Sequence, residues 1–379
     1  MRESRALIPS HLSMVDFSPG DAPFDTTSTL KRKPIHILAL DGGGVRGLSS
    51  LILLRGLMER VAVAKGISSD NNVAIRPSDF FDLIIGTGTG GISALFLGRL
   101  RMTVDEAIAA YQDVAKASFQ PPALVSRALQ RISPSRKLEQ CVGNIVQRYL
   151  GDRDAPLSDP PSGSRTCRTA VLACTAASTD APPHIFRSYL TSEPPSSFTV
   201  HEVARAAVAI PGTSLSVSLG SPPMQFVCAS VVGYNNPAET GLLEAARNLD
   251  GRVVCLVSLG TGLQKIVRIR GPWKKFITAC EQIAQDCEAV HDRMCRSGLL
   301  MNMDYFRFNV TRGLVDVIQE WTPSGSDSPI AEITDGYMRD AWVADSLDSC
   351  AQKLIGERIY KLIWTMLKDS NSECQHSDY

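Results

Sequence analysis

The stretch Phe81-Asp-Leu-Ile-Ile-Gly-Thr-Gly-Thr-Gly-Gly91 constrains this chain more than any other. Leu83, Ile84 and Ile85 form an apolar run that suits a strand covered on both faces. Glycines at 86, 88, 90 and 91 permit positive φ and close approach by other groups. Ile92, Leu95 and Phe96 then repeat at helical spacing. The unit reads as a buried strand that turns sharply into a helix.

A strand, a tight turn and a helix are the mounting on which α/β hydrolases present a serine nucleophile, written G-x-S-x-G. Here the five residues are Gly86-Thr87-Gly88-Thr89-Gly90, and the apex is Gly88. The mounting is present without the nucleophile. Thr87 and Thr89 flank the apex, and because such a turn aims only its apex residue, both are expected to point away from the site.

The rest of the chain alternates strand and helix patterns. Pro34–Leu40 is a strand running into Asp41-Gly-Gly-Gly-Val-Arg-Gly47, and Leu48, Leu51, Leu54, Met58 and Val61 mark the helix that follows. Thr103 and Glu106 make a capping box for another helix. Strands are expected at Cys167–Ala177, Gln225–Val232, Val253–Leu259 and Tyr305–Val310. Helices are expected at Val203–Ala209, Glu239–Arg247, Trp273–Met294 and Ala351–Leu367. Proline- and glycine-rich loops fall at Gly151–Ser164 and Thr191–Ser197. This order predicts an α/β class with a mainly parallel central sheet. Residues 1–32 lack periodicity and read as a loose extension, 33–368 as one domain and 369–379 as a tail.

Asp41–Gly47 and Gly86–Gly91 both fit G-x-G-x-x-G, a weak dinucleotide signal. A dinucleotide fold needs a second strand, ending in an acidic residue, after the helix, and none follows Gly91. A glycine-rich loop at a helix N-terminus also aims several N–H groups at one point. Beside a nucleophile elbow that point is an oxyanion hole. Gly42, Gly43 and Gly44 are the expected donors, with Arg46 beside any anionic group. The bland alternative is a tight structural turn.

Lysine plus arginine equals aspartate plus glutamate at 39 each, which argues against nucleic acid as a partner. The N-terminus lacks the apolar stretch of a signal peptide, and no apolar run approaches the ~20 residues that span a bilayer. A cytoplasmic protein is expected, its ten cysteines mostly free thiols. Cys280, Cys287, His291 and Cys295 recur at helical spacing and read as a core stripe rather than a metal site. Trp273-Lys-Lys-Phe276 could make a peripheral membrane contact, but two lysines and two aromatics are a weak signal and a solvated helix start is the favoured reading.

Taken in order, these blocks resemble the patatin-like phospholipase family. Asp41-Gly-Gly-Gly-Val-Arg-Gly47 is similar to its oxyanion loop, D-G-G-G-x-R-G. Asp82–Gly91 is similar to its elbow, D-x-I-x-G-T-S-T-G-G. Phe226-Val-Cys-Ala-Ser-Val-Val-Gly-Tyr-Asn-Asn-Pro237 resembles the block F-x-D-G-G/A-x-x-x-N-N-P, which carries the catalytic aspartate. Arg205–Pro211, Val257–Gly262 and Tyr305–Val310 resemble other family blocks, so the likeness runs from about 33 to 340. It implies a three-layer α/β/α domain and a lipid acyl hydrolase that works through a Ser–Asp dyad, with no catalytic histidine and no cofactor.

This chain departs from the family at both dyad positions. Gly88 stands at the serine, and the second block is one residue longer than the family pattern. Counting back from Asn235 puts Ala229 at the aspartate; counting on from Phe226 puts Cys228 there. Losing a nucleophile costs ~10⁶ in rate, while an oxyanion hole and binding leave ~10³–10⁴ over water. Three functions stay open: a pseudoenzyme binding a lipid, an acyl-bearing ligand or a protein partner; an enzyme that polarises a carbonyl for cyclisation or condensation; and a residual acyl hydrolase using a relocated nucleophile such as Cys228.

Overall fold

The computed structural model describes residues 33–67, 74–118, 134–160, 167–178, 180–192, 197–210, 217–264, 273–297, 300, 302–316 and 329–356. One eight-stranded sheet organises them, in the order β5-β6-β3-β2-β1-β7-β8, with β4 also paired to β3. The strands are β1 (Pro34–Leu40), β2 (Leu83–Thr87), β3 (Arg168–Thr175), β4 (His184–Arg187), β5 (Val217–Leu219), β6 (Met224–Cys228), β7 (Arg252–Leu259) and β8 (Asp304–Phe308). From β3 through β2, β1 and β7 to β8 every pairing is parallel. The pairings of β3 with β4, β3 with β6 and β5 with β6 are antiparallel.

Successive residues of a strand face opposite sides of the sheet, and β1 is apolar on both. Leu38 and Leu40 enter one core with Leu51, Leu54 and Leu57 of α1 (Gly47–Ala64). Ile35, Ile37 and Ala39 enter a second core with Ile85 of β2, and with Ala238 and Ala245 of a helix on the other face. Two cores on either side of one sheet make the three-layer α/β/α arrangement. The helix α1 is buried almost all round, as its continuous leucines require.

The remaining helices are α2 (Thr89–Ala94), α3 (Val104–Ser118), α4 (Pro134–Leu150), α5 (Val200–Ala207), α6 (Ala238–Asn248), α7 (Trp273–Ala284), α8 (Glu288–Arg296) and α9 (Pro329–Met338), followed by α10 over 341–356. The capping box before α3 forms as the sequence predicts, with Thr103 N–H donating to Glu106 Oε2 and Glu106 N–H to Thr103 Oγ1. Among the described residues no helix is long and apolar enough to cross a membrane.

Several boundaries differ from the sequence reading. The strand expected to reach Val232 ends at Cys228; Ala229–Val232 is a 3₁₀ turn closed by Gly233 at φ 101°. The expected helix Val203–Ala209 starts three residues earlier, because Thr199 and Glu202 form a capping box. The single helix expected from Trp273 to Met294 is two. Asp286 Oδ1 accepts Glu288 N–H at 2.9 Å and starts α8, while side chains from the loop after β6 take up the carbonyls exposed at the break. The final helix begins ten residues before the expected Ala351, and its expected end at Leu367 lies outside the described residues, as do residues 1–32 and 369–379.

Candidate functional site

The elbow forms where the sequence places it. β2 ends at Thr87, Gly88 sits at φ 55°, ψ −131°, and Gly88 caps the start of α2. An L side chain is strained at that φ, so glycine is the relaxed occupant of this apex. The turn also packs tightly against β1: a Cβ on Gly90 would overlap the Leu40 carbonyl oxygen. These two requirements explain the glycines better than nucleotide binding does.

The loop after β1 lies directly over this apex. Asp41 N–H donates to Leu259 O, and Gly42 N–H donates to Asn235 O at 3.1 Å. Thr261, in the turn after β7, donates to Gly42 O at 2.9 Å. Gly43 N–H reaches Thr89 Oγ1 at 3.3 Å, and the same hydroxyl lies 3.3 Å from Gly44 O, which Tyr111 also contacts. The expectation that Thr89 points away is therefore corrected: its hydroxyl faces the glycine loop. Of the three donors expected from sequence, Gly42 is taken up by Asn235 and Gly43 reaches Thr89. Gly44 N–H opens the 3₁₀ turn Gly44–Arg46 with no described residue accepting it.

A cavity of about 270 Å³ lies between this loop, the elbow and the turn after β6. Cys228 at the end of β6 and Ser230 in the turn that follows face Gly88. A Cβ built on Gly88 would lie 3.4 Å from Ser230 Oγ and 3.5 Å from Cys228 Sγ. Ala229 is buried in the second core instead. Of the two residues counted as candidates, Cys228 faces the apex and Ala229 does not. Cys228 Sγ and Ser230 Oγ are 2.8 Å apart. Burial pushes the Cys228 thiol pKa up, so at neutral pH it is a thiol and a weak nucleophile.

No aspartate, glutamate or histidine is among the described residues lining this cavity. Its charge is Arg46, at the loop's end. Burial lowers the Arg46 pKa from the ordinary guanidinium value without making it neutral, and its Nε has no described partner.

Beneath the loop lies a buried charge network that sequence reasoning missed. Arg307 of β8 contacts Asp41 Oδ2 and Glu288 Oε1, each at 2.7 Å, and Asn309 Nδ2 donates to the same Glu288 oxygen at 2.8 Å. Burial pushes the Asp41 pKa up to about 6, against the opposing pull of Arg307. Burial would also raise Glu288, but Arg307 and Asn309 hold it below the usual carboxylate value. Asn309 further accepts Gly262 N–H at 2.7 Å, fixing the turn that carries Thr261. Arg307, set between Phe306 and Phe308 in β8, was the available signal, since a buried cation requires carboxylates.

Two consecutive asparagines tie the site to the outer layer. Asn235 Nδ2 donates to Gln285 O at 2.6 Å, and Asn236 Nδ2 to Cys287 O at 3.1 Å. The cysteine stripe expected on one helix is corrected here. The break between α7 and α8 separates the residues; Cys287 is buried, whereas Cys280 and Cys295 are exposed. His291 instead meets Tyr305 OH at 3.2 Å.

Comparison with known proteins agrees with this fold. A family model described as patatin-like phospholipase matches residues 38–242. Calcium-independent phospholipase A2-gamma of Mus musculus is 29% identical over 296 residues, covering 74% of this chain and 35% of that protein. The chain thus spans about a third of the length of that relative. Probable inactive patatin-like protein 9 of Arabidopsis thaliana is 27% identical over 223 residues, covering 56% of this chain and 55% of that one. Patatin-17 of Solanum cardiophyllum is 24% identical over 263 residues, with 62% and 63% covered. The strand–elbow–glycine-loop core described above falls inside the region that the family model matches, and the chain belongs to the patatin-like phospholipase family.

Proposed function

We propose that this protein is a patatin-like pseudoenzyme that binds an anionic acyl ligand without hydrolysing esters. One observation carries the reading: the cavity at the elbow apex is lined by no carboxylate and no imidazole among its described residues, and the apex is glycine. Ester hydrolysis by the family route needs a nucleophile with a base in hydrogen-bond reach. Cys228 and Ser230, the side chains facing the apex, supply neither role well: burial raises the Cys228 thiol pKa, and the Ser230 hydroxyl is paired with that thiol rather than with a base.

What the cavity retains favours binding. Gly44 N–H and the Arg46 guanidinium are both available to an anionic or carbonyl group. Val208, Ile210 and Val231 supply an apolar side for a chain. A fatty acid or lysophospholipid matches that pairing of charge and apolar surface. Cyclisation or condensation at a polarised carbonyl would use the same Gly44 donor, and product formation would separate it from simple binding.

The test uses the full chain. p-Nitrophenyl esters of short and long chain should turn over no faster than background, and a fluorophosphonate probe should label nothing. Oleate should raise the melting temperature, and Arg46→Ala should weaken oleate binding while leaving binding of the matching fatty alcohol unchanged. Hydrolysis well above background by the native chain would overturn the reading.

A further inference from the structure

The helix α7 has its apolar side on the outside. At about 100° per residue, Trp273, Phe276, Ile277, Cys280 and Ile283 fall within one arc of roughly 120°. Amphipathic helices of soluble domains turn such an arc toward the core. Here Trp273 is 70% exposed, Ile277 43% and Ile283 52%, and Cys280 is exposed too. Among the described side chains of α7, Ala279, which lies outside that arc, is buried. Trp273 and Phe276 stack on each other at 5.0 Å, making one flat aromatic surface.

Charge indicates what that surface meets. Lys274 and Lys275 belong to the first turn of α7, and Glu281 is the helix's one acidic residue. The sequence 265–275 holds five basic residues and no acidic one, in a chain whose net charge is zero. Tryptophan beside lysines on an exposed apolar helix is the composition of an interfacial anchor, with the ring at headgroup depth and the ammonium groups on anionic phosphates.

Position gives the surface a purpose. α7 packs on the turn Ala229–Val232, whose Val231 lines the elbow cavity. Gln285, one residue past α7, lines the same cavity, as does the apolar Ile210, which is 39% exposed. The C-terminal end of α7 therefore adjoins residues that line the cavity. We infer that α7 docks this domain on an anionic lipid bilayer through Trp273, Ile277 and Ile283, which sets the elbow cavity against the membrane surface. The inference rests on α7 and the basic sequence leading into it, and holds whether or not the cavity turns over an ester.

Co-sedimentation with sucrose-loaded vesicles tests it, comparing phosphatidylcholine alone with phosphatidylcholine and phosphatidylserine at about 7:3. The full chain should bind the mixed vesicles and bind neutral ones weakly. Lys274→Ala with Lys275→Ala should lower the partition constant about 30-fold, at roughly fivefold per lysine. Trp273→Ala with Ile277→Ser should abolish binding. Trp342→Ala, which removes a tryptophan 74% exposed elsewhere on the surface, should change nothing. The mutated apolar residues are exposed, so an unchanged melting temperature certifies the fold of each variant. The inference is overturned if the native chain ignores anionic vesicles, or if Trp273→Ala with Ile277→Ser binds as the native chain does. It is also overturned if sedimentation velocity shows a dimer that this double variant dissociates, since a second copy would then own the surface. Oleate binding measured without vesicles reads the ligand-binding proposal separately, so failure of that reading is distinguishable from failure of this one.

Discussion

Putting a serine and an aspartate back at the apex tests the geometry of the site most directly. In Gly88→Ser with Cys228→Asp, the new Cβ lies 3.3 Å from Gly42 Cα and 3.4 Å from Ser230 Oγ, so it fits after shifts of a few tenths of an ångström. The apex keeps φ 55°, and holding a serine there costs about 1–3 kcal/mol of stability. Cys228 Sγ sits 3.5 Å from that Cβ. A carboxylate oxygen at position 228 extends about 1 Å further and comes within the ~2.6–3.2 Å at which a base takes a hydroxyl proton. Ser230, now 2.8 Å from Sγ, is placed to donate to the same carboxylate. Groups that act as a unit restore rate only together, so Gly88→Ser alone should stay near background while the pair gains ~10³-fold or more. p-Nitrophenyl butyrate hydrolysis and fluorophosphonate labelling read both variants, with urea unfolding to register the stability loss. The reasoning is refuted if the Cys228 pair folds and stays inert while Gly88→Ser with Ala229→Asp is active, because Ala229 would then face the apex. If both pairs fold and both are inert, the loop around Gly44 does not present a donor to a bound carbonyl.

Three further outcomes follow from particular contacts. The folded pKa of Asp41 is raised from 3.8 to about 6, so folding retains a proton there that the unfolded chain releases; this stability is full below pH 3.8 and is lost as pH rises through about 6. Urea unfolding across that window should show native stability declining with pH relative to Asp41→Asn, which cannot titrate. Glu244→Ala should cost about 3 kcal/mol, the lower end for a broken buried pair, because Arg187, which Glu244 binds at 2.6 Å, is 18% exposed and keeps some water; chemical denaturation measures it. Gly43→Ala should cost ~1–3 kcal/mol through overlap with Thr261, and Gly43→Ala combined with Thr261→Gly should recover part of that loss in the same assay, by removing the Thr261 Oγ1, Cβ and methyl carbon that the new Cβ meets.

The parts of the site legible in the sequence are those encoded locally. β1, the glycine loop, the elbow and the capping box at Thr103 each carry their signal within about ten residues. What failed was set by distant partners. β4 and β5 are short antiparallel strands without a long apolar run. The break at Gln285–Cys287 sits inside an unbroken helical periodicity and is held open by Asn235 and Asn236, some fifty residues away in sequence. The choice between Cys228 and Ala229 needed the point where β6 stops, which periodicity within the strand does not mark. Asp41, Glu288 and Arg307 meet only after the sheet has assembled, and no spacing announces them.

The paired asparagines carry a mechanical consequence. Asn235 receives Gly42 N–H on its own carbonyl and grips Gln285 with its side chain, so one residue joins the glycine loop to the end of α7. Asn236 adds a parallel strut, holding Cys287 on one side and the first N–H of α6 on the other. A push on the outer face of α7 has a path two hydrogen bonds long to the floor of the cavity. Asn235 thus links the residue that follows the surface helix directly to the glycine loop in the cavity wall.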